Sequence, residues 1–254
     1  LVADLPDDAG GTGGPRRQRA ARGHHEVIVE GPDHRPRLAP DDAAVVREAL
    51  MAGRERLRWL ASRQGLASGI LFKNHGPRAG ASLEHPHWQL AAIPVIPATL
   101  HRMLDVARAY HSSRGGSVYT DLLADEVAAG TRIVATTEDY VTLTPYAPQW
   151  PGETWVLPRR GGGRFESLED DAVSAFAAAL HDALRRVARI FDDPDCNVAV
   201  YSAPFASEAG GGFSWHVRIQ PRLTVPGGFE LATGMAITVL APEDAAAALR
   251  DVEV

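Results

Sequence analysis

From residue 24 onward the chain alternates apolar and polar positions in two periods, and each change of period marks an element. "EVIVE" (26–30) keeps the two-residue period of a half-buried strand and runs into a Gly-Pro turn. Residues 41 to 64 carry Val45, Val46, Leu50, Leu57 and Leu60 at mixed three- and four-residue spacings behind Asp41-Asp42, which predicts an amphipathic helix with an acidic cap. "GILFKN" (69–74) and "WQLAAIPVI" (88–96) predict two more strands, and helices are expected over 97–112 and 119–128. From Thr131 the order begins again. "TRIVATTEDYVTLTPYAP" predicts a hairpin turning at Glu138-Asp139, "GETWVLP" a strand, and 167–191 a long Ala-rich helix. The strands "NVAVYS" and "FSWHVRIQP" follow, then "GMAITVL" and a helix opened by Pro242-Glu243-Asp244. Strand pairs and a helix, twice over, predict an α+β protein of two similar halves, 1–130 and 131–254, with antiparallel sheets. The halves share element order more than residues. Residues 6–23, rich in Gly, Arg and Asp and without periodicity, read as a mobile loop.

Composition narrows the function. The 254 residues are 45% hydrophobic and 23% charged, enough for a sizeable core in one large domain or two smaller ones. A net charge of -6 gives no basic footprint for a nucleic-acid backbone, so any bound nucleotide is expected to be small and held by local groups. The sequence has no run of 18 apolar residues and no apolar signal-peptide core in its first twenty, so a cytoplasmic protein without a membrane partner is expected. The single cysteine, Cys196, excludes an internal disulfide and a cysteine-rich metal cage built from these residues alone.

The chemistry concentrates in "NHGPRAGASLEHPHWQL" (74–90). A neutral imidazole attacks phosphorus well, and the phosphoramidate it forms is easily cleaved again. Such a reaction also needs a turn that phosphate oxygens can approach and donors for the developing charge. Gly76, Gly80, Ala81 and Ser82 supply small residues, exposed N–H groups and one hydroxyl, while Gln89 projects from the same side of a strand as His87. Pro86 stiffens the loop and keeps the imidazoles of His85 and His87 on different sides. Two surface histidines between strands are the bland alternative, disfavoured by the glycines, serine and glutamine in this order.

"NHGPRAGASLEHPHWQ" resembles the active-site pattern N-x-G-x-x-x-G-x-S-x-x-H-P-H-x-Q of the galactose-1-phosphate uridylyltransferase branch of the histidine triad superfamily. "EVIVEGPDH", "YVTLTPYAPQWPGETWVLPRR" and "HVRIQPRLTVPGGFELATG" extend the resemblance over most of residues 24 to 252, and "GGFELATG" is similar to members such as ADP-glucose phosphorylases. The resemblance implies duplicated histidine-triad-like halves, the first carrying the active-site motif and the second a sugar-site segment. It implies a nucleotidyltransferase of galactose metabolism, moving a nucleoside monophosphate between a nucleotide sugar and a sugar 1-phosphate, usually as a homodimer. In that picture His87 is the nucleophile, Ser82 and Gln89 hold phosphates, Gly80 allows close approach, Asn74 contacts the nucleotide, and Phe229 and Glu230 bind the sugar. A phosphorylase or hydrolase using the same His87, or a nucleotide-binding remnant, stays open as an alternative.

The resemblance also implies a structural zinc, for which His34 and His85 match two of four ligands. The chemistry itself needs no metal. The family's other two ligands are cysteines of an N-terminal C-x-x-C that has no counterpart here, so the start on Leu1 leads us to expect an upstream segment supplying them. A turn-capping role for His34 is the alternative. A second family metal site has His216-Val217-Arg218 in place of H-x-H and Gly161 in place of a histidine, so a hydrogen-bonded structural His216 is expected. Arg218 is open between a partner for substrate phosphate and a solvated strand residue, and Arg159-Arg160 reads as a solvated loop. Trp88, Trp150, Trp155 and Trp215 are assigned to core or interface.

Overall fold

The computed structural model describes residues 22–206 and 212–254, so most of the expected N-terminal loop lies outside the described residues. The strands are β1 (His24–Val29), β2 (Ser68–His75), β3 (His87–Ile93), β4 (Ile133–Thr136), β5 (Tyr140–Leu143), β6 (Thr154–Pro158), β7 (Cys196–Tyr201) and β8 (His216–Pro221). They form one eight-stranded sheet in the order β1-β3-β2-β7-β8-β6-β5-β4, antiparallel at every pairing. The two halves therefore meet at β2 and β7, where Leu71 pairs with Val200 and His75 with Cys196. The expected α+β architecture is present, with both sheets fused into one.

Helices α1 (Ala43–Ala61) and α4 (Asp170–Ile190) cover one face of this sheet. Asp42 caps α1 by accepting the Ala44 N–H (2.8 Å), and the helix buries Val46, Leu50, Leu57 and Leu60 at the spacings seen in the sequence. In α4, Asp170 and Asp171 occupy the first turn, where the helix dipole favours negative charge, and Val173, Phe176, Leu180 and Leu184 face inward. Trp88 and Trp215 lie in this same core, 1% and 0% exposed. Lys73 also points to this face, and its Nζ is held by Glu30 Oε1 at 2.6 Å.

The opposite face is covered unevenly, and that unevenness positions the site. Helices α2 (Ala98–Arg114) and α3 (Val118–Ala129), expected within the first half, pack on strands of the second. Leu100, Leu104 and Ala107 of α2 meet Ala203 and Phe213, while Leu123 of α3 meets Val141, Leu143 and Leu157. On β1, Val27 and Val29 of that same face are 53% and 59% exposed. α5 (Gly228–Thr233) is a short turn of helix, α6 (Pro242–Asp251) closes the chain against β4, and "GMAITVL" between them takes no regular structure, with Met235, Ile237 and Val239 exposed. No helix among the described residues is long and apolar enough to cross a membrane.

Candidate active site

His87 is the first residue of β3, 6% exposed, and lies opposite Val29 of β1. Lys73 pairs with Trp88 as the last pair of the β2–β3 ladder, and Asn74 and His87 are the residues that follow and precede them. Alternation turns Lys73 and Trp88 toward α1, and His87, Asn74 and Gln89 therefore share the open face. The His87 Nδ1–H donates to the His85 carbonyl at 2.7 Å. A carbonyl only accepts, so the proton must sit on Nδ1, and the neutral ring keeps its lone pair on Nε2. Gln89 Oε1 lies 3.0 Å from His25 Nε2 on β1.

The loop between β2 and β3 turns at Gly76 (φ 80°) and Gly80 (φ 82°), left-handed values that favour glycine. Here the structure corrects one expectation. The N–H groups of Gly80 and Ala81 are not free for phosphate, because they bond Pro77 O (3.0 Å) and Gly76 O (3.1 Å) within the turn. What Gly80 provides is open space, since a Cβ there would meet nothing within 4 Å among the described residues. Ser82 follows it on the exposed stretch before His85.

The second half braces this loop, which sequence reasoning missed. The Asp195 carboxylate accepts the Arg78 N–H, and a Cβ on Gly76 would meet Asp195 Oδ1 at 2.0 Å. Asn197 donates from Nδ2 to both Asn74 Oδ1 and the Ala79 carbonyl, each at 2.8 Å, and its Oδ1 accepts from Arg222 Nε. Arg222 in turn lies over the Trp150 ring at 3.8 Å. Asn197 is 123 positions from Asn74, and its only sequence signal was a polar side chain opening an apolar strand.

Residues 103–252 match the family model described as galactose-1-phosphate uridyl transferase, C-terminal domain. The chain belongs to the galactose-1-phosphate uridyl transferase family. Residues 21–96 match a second model, the N-terminal domain of a family of unknown function, DUF4931. The chain is 29% identical to an ADP-glucose phosphorylase of Arabidopsis thaliana over 94% of its own length and 67% of that protein. It is 29% identical to a galactose-1-phosphate uridylyltransferase of Haemophilus influenzae, over 80% of this chain and 58% of that protein. A crystal structure of the Arabidopsis phosphorylase with bound ADP-glucose superposes with a TM-score of 0.86 at 28% identity, over 93% of this chain and 76% of that one. The chain thus spans roughly three fifths to two thirds of these curated relatives.

Within this family member the remaining candidate residues fall into three places. His34 and His85 meet, with Nδ1 atoms 2.9 Å apart, and His85 Nε2–H donates to the Gly31 carbonyl at 2.8 Å. A metal-binding imidazole is usually held in this way, one nitrogen donating to a carbonyl, and the other nitrogen of His85 here accepts from His34 Nδ1–H. Two nitrogens on one tetrahedral zinc lie about 3.3 Å apart, so a small separation of the rings would fit the ion. Among the described residues no third His, Cys, Asp or Glu joins them. Cys196 is buried in the sheet, where burial pushes its thiol up to about 12.

His216 repeats the geometry of His87 in the second half. It too opens its strand, and its Nδ1–H donates to the carbonyl two residues back, Ser214, at 3.0 Å. Its Nε2, however, accepts from Arg218 Nε at 3.1 Å, so both ring nitrogens are occupied, the hydrogen-bonded role expected of it. Burial, with Arg218 beside it, pushes its pKa down to about 3. Arg218 is not a solvated residue: it is 8% exposed, between the rings of Trp155 (4.3 Å) and Tyr201 (4.6 Å).

Phe229 and Glu230 lie on α5 beyond β8, and among the described residues neither makes a hydrogen bond or ring contact with His87. Glu230 caps its own helix by accepting the Gly227 N–H (3.0 Å), and it borders a cavity of about 270 Å³ with Trp150 and Ile237, while Phe229 is half exposed. Arg159 and Arg160 are exposed.

Proposed function

We propose that the protein transfers a nucleoside monophosphoryl group from a nucleotide sugar through a covalent intermediate on His87. The observation that carries this reading is the 2.7 Å bond from His87 Nδ1–H to the His85 carbonyl. It directs the lone pair of Nε2 away from the loop and supports the positive charge that the ring gains on attack. In the first step Nε2 forms a bond to the α-phosphorus, and the phosphorus–oxygen bond to the sugar phosphate breaks with its electron pair. In the second step an acceptor phosphate oxygen attacks the same phosphorus, and the phosphorus–nitrogen bond breaks. Asn74 and Gln89 flank His87 and donate to the phosphoryl oxygens, Gly80 leaves room for them, and Ser82 serves the leaving phosphate. Phe229 and Glu230, the latter bordering the cavity beside Trp150, are assigned to the sugar.

The acceptor has two candidates. A sugar 1-phosphate would make the protein a uridylyltransferase of the galactose type. Inorganic phosphate would make it a phosphorylase, favoured by the match to the Arabidopsis ADP-glucose phosphorylase over 94% of the chain. A zinc ion held by His34 and His85 with ligands from outside the described residues would be structural, fixing the loop that presents His87.

Intact-protein mass spectrometry after brief incubation with UDP-glucose, and separately ADP-glucose, tests the reading. An acid-labile gain of one nucleoside monophosphate, absent in His87→Ala, is expected, and the donor that gives it names the base. Discharge of the adduct by inorganic phosphate or by galactose 1-phosphate then names the acceptor. A folded protein that takes up neither nucleotide would sink the proposal for these donors.

A further inference from the structure

Asparagine and glutamine side chains can present either an oxygen or an NH₂ group to a ligand, and an anion site needs the second. We infer that Asn197, contributed by the other half of the sheet, is a positioning residue that locks Asn74 as a donor beside His87. The orientation follows from which atoms can donate. The Arg222 guanidinium has no acceptor, so the Asn197 atom it meets must be Oδ1. The Ala79 carbonyl has no proton, so the Asn197 atom facing it at 2.8 Å must be Nδ2. That same Nδ2 lies 2.8 Å from Asn74, which must therefore turn its oxygen toward Asn197. The Asn74 NH₂ is left on the open face that Asn74 shares with His87 beyond the Lys73–Trp88 pair, and it has no partner among the described residues. Arg222 is itself steadied on Trp150 at 3.8 Å. A line from Trp150 through Arg222 and Asn197 thus fixes one donor of the phosphoryl site and, through Ala79, the turn ahead of Gly80.

The kinetic arm of the test rests on the nucleotidyl-transfer reading, so a second arm measures the affinity of the unreacted protein for inorganic pyrophosphate by calorimetry. Asn197→Asp keeps the acceptor for Arg222 but sets carboxylate oxygens against the Ala79 carbonyl and Asn74 Oδ1, which drives the Asn74 amide to flip. A hydrogen bond to a charged group corresponds to roughly 10- to 100-fold in a rate or affinity. Asn197→Asp is therefore expected to lower kcat of nucleotidylation by about that factor with a smaller change in KM. In an Asn74→Ala background the same change should cost less than about twofold, because the donor it acts through is gone. Asn74→Asp, which retains an oxygen for Asn197 but replaces the donor with a carboxylate that repels phosphoryl oxygens, guards against a misfolded Asn197 variant and should lose at least as much as Asn74→Ala.

Pyrophosphate affinity should follow the same pattern. Normal adduct formation with additive losses in the double variant, or with Asn74→Asp fully active, would overturn the inference and leave the nucleotidyl reading standing. No adduct in the wild type, with pyrophosphate affinity still falling through Asn197 and Asn74 non-additively, would overturn the nucleotidyl reading and uphold the inference. Pyrophosphate binding that is absent, or indifferent to both residues, together with no adduct, would overturn both.

Discussion

Two buried side chains give the stability of this fold opposite responses to pH. Glu166 is 4% exposed, and its Oε2 accepts from Ser202 Oγ at 2.8 Å while Oε1, 4.0 Å from Arg164 Nε, has no hydrogen-bond partner among the described residues. Burial raises its pKa above the usual carboxylate value. The folded protein therefore holds a proton that the unfolded chain releases above about pH 4.5, so this contribution to stability is lost as pH rises toward the folded pKa. His216 works the other way. Its folded pKa of about 3 lies below the unfolded value of 6.5, so the unfolded chain takes up the extra proton and stability falls as pH drops through that window. The prediction concerns Glu166→Gln, which keeps the shape and removes the charge. Its unfolding midpoint should exceed that of the wild type at pH 7 and converge on it near pH 4, while both proteins lose stability below pH 6.5 through His216. Thermal melts across that range decide the matter, and a gap that widens toward acid would show that Glu166 is already charged in the folded state.

At the scale of elements the loop carrying the motif is shaped by a residue far along the chain. Gly76 adopts φ 80°, and any Cβ there would sit 2.0 Å from Asp195 Oδ1, the carboxylate that accepts the Arg78 N–H. With ψ at 158° this is an extended positive-φ conformation that glycine alone adopts readily, and holding an alanine there costs about 1–3 kcal/mol. Gly76→Ala should therefore lower stability by about 1–3 kcal/mol, and it should reduce nucleotidylation far more than that loss explains, because the turn before His87 must move. Equilibrium denaturation beside the adduct assay separates the two, and unchanged adduct formation would show that the turn does not position the site. The sequence made the motif legible because its residues are local: His87, Gln89 and Gly80 lie within one hairpin, and strand alternation alone puts the first two on one face. It also made α1 and α4 legible, since both bury a continuous apolar stripe. Asp195 and Asn197 were not legible, because strand pairing across more than a hundred residues leaves no periodic trace. Nor was the spent state of the Gly80 and Ala81 N–H groups, which depends on the turn closing on itself. Placing α2 and α3 within the first half followed their order in the chain, whereas their apolar residues match the second half's strands.

For the whole molecule, duplication raises the question of whether the halves behave as separate domains. Element order suggests that they do, and the paired histidines His87 and His216, each opening a strand and each bonded to the carbonyl two residues back, mark them as repeats. The core argues for a single unit. Leu50, Leu57 and Leu90 from the first half share one apolar cluster with Phe176, Leu184 and Trp215 from the second, and α1 packs directly on α4. The seam of the sheet runs between β2 and β7, each of which would expose a row of unpaired backbone N–H and C=O groups if the halves parted. Arg54 adds a tie: it is 2% exposed, its Nη1 donates to the Leu168 carbonyl at 2.9 Å, and its Nη2 pairs with Asp170 at 2.7 Å. Opening one half alone would forfeit the helix contact, the ladder and this charged anchor without releasing the entropy of the other half. The two halves should therefore unfold as one cooperative body. Hydrogen exchange followed by mass spectrometry provides the measurement, with the slowest amides of β2 and β3 compared with those of β7 and β8. All four strands should report the same opening free energy and the same dependence on denaturant. If β2 and β3 exchanged through a lower-energy opening while β7 and β8 stayed protected, the first half would be an independent folding unit, and the brace that Asn197 gives to Asn74 would open with it.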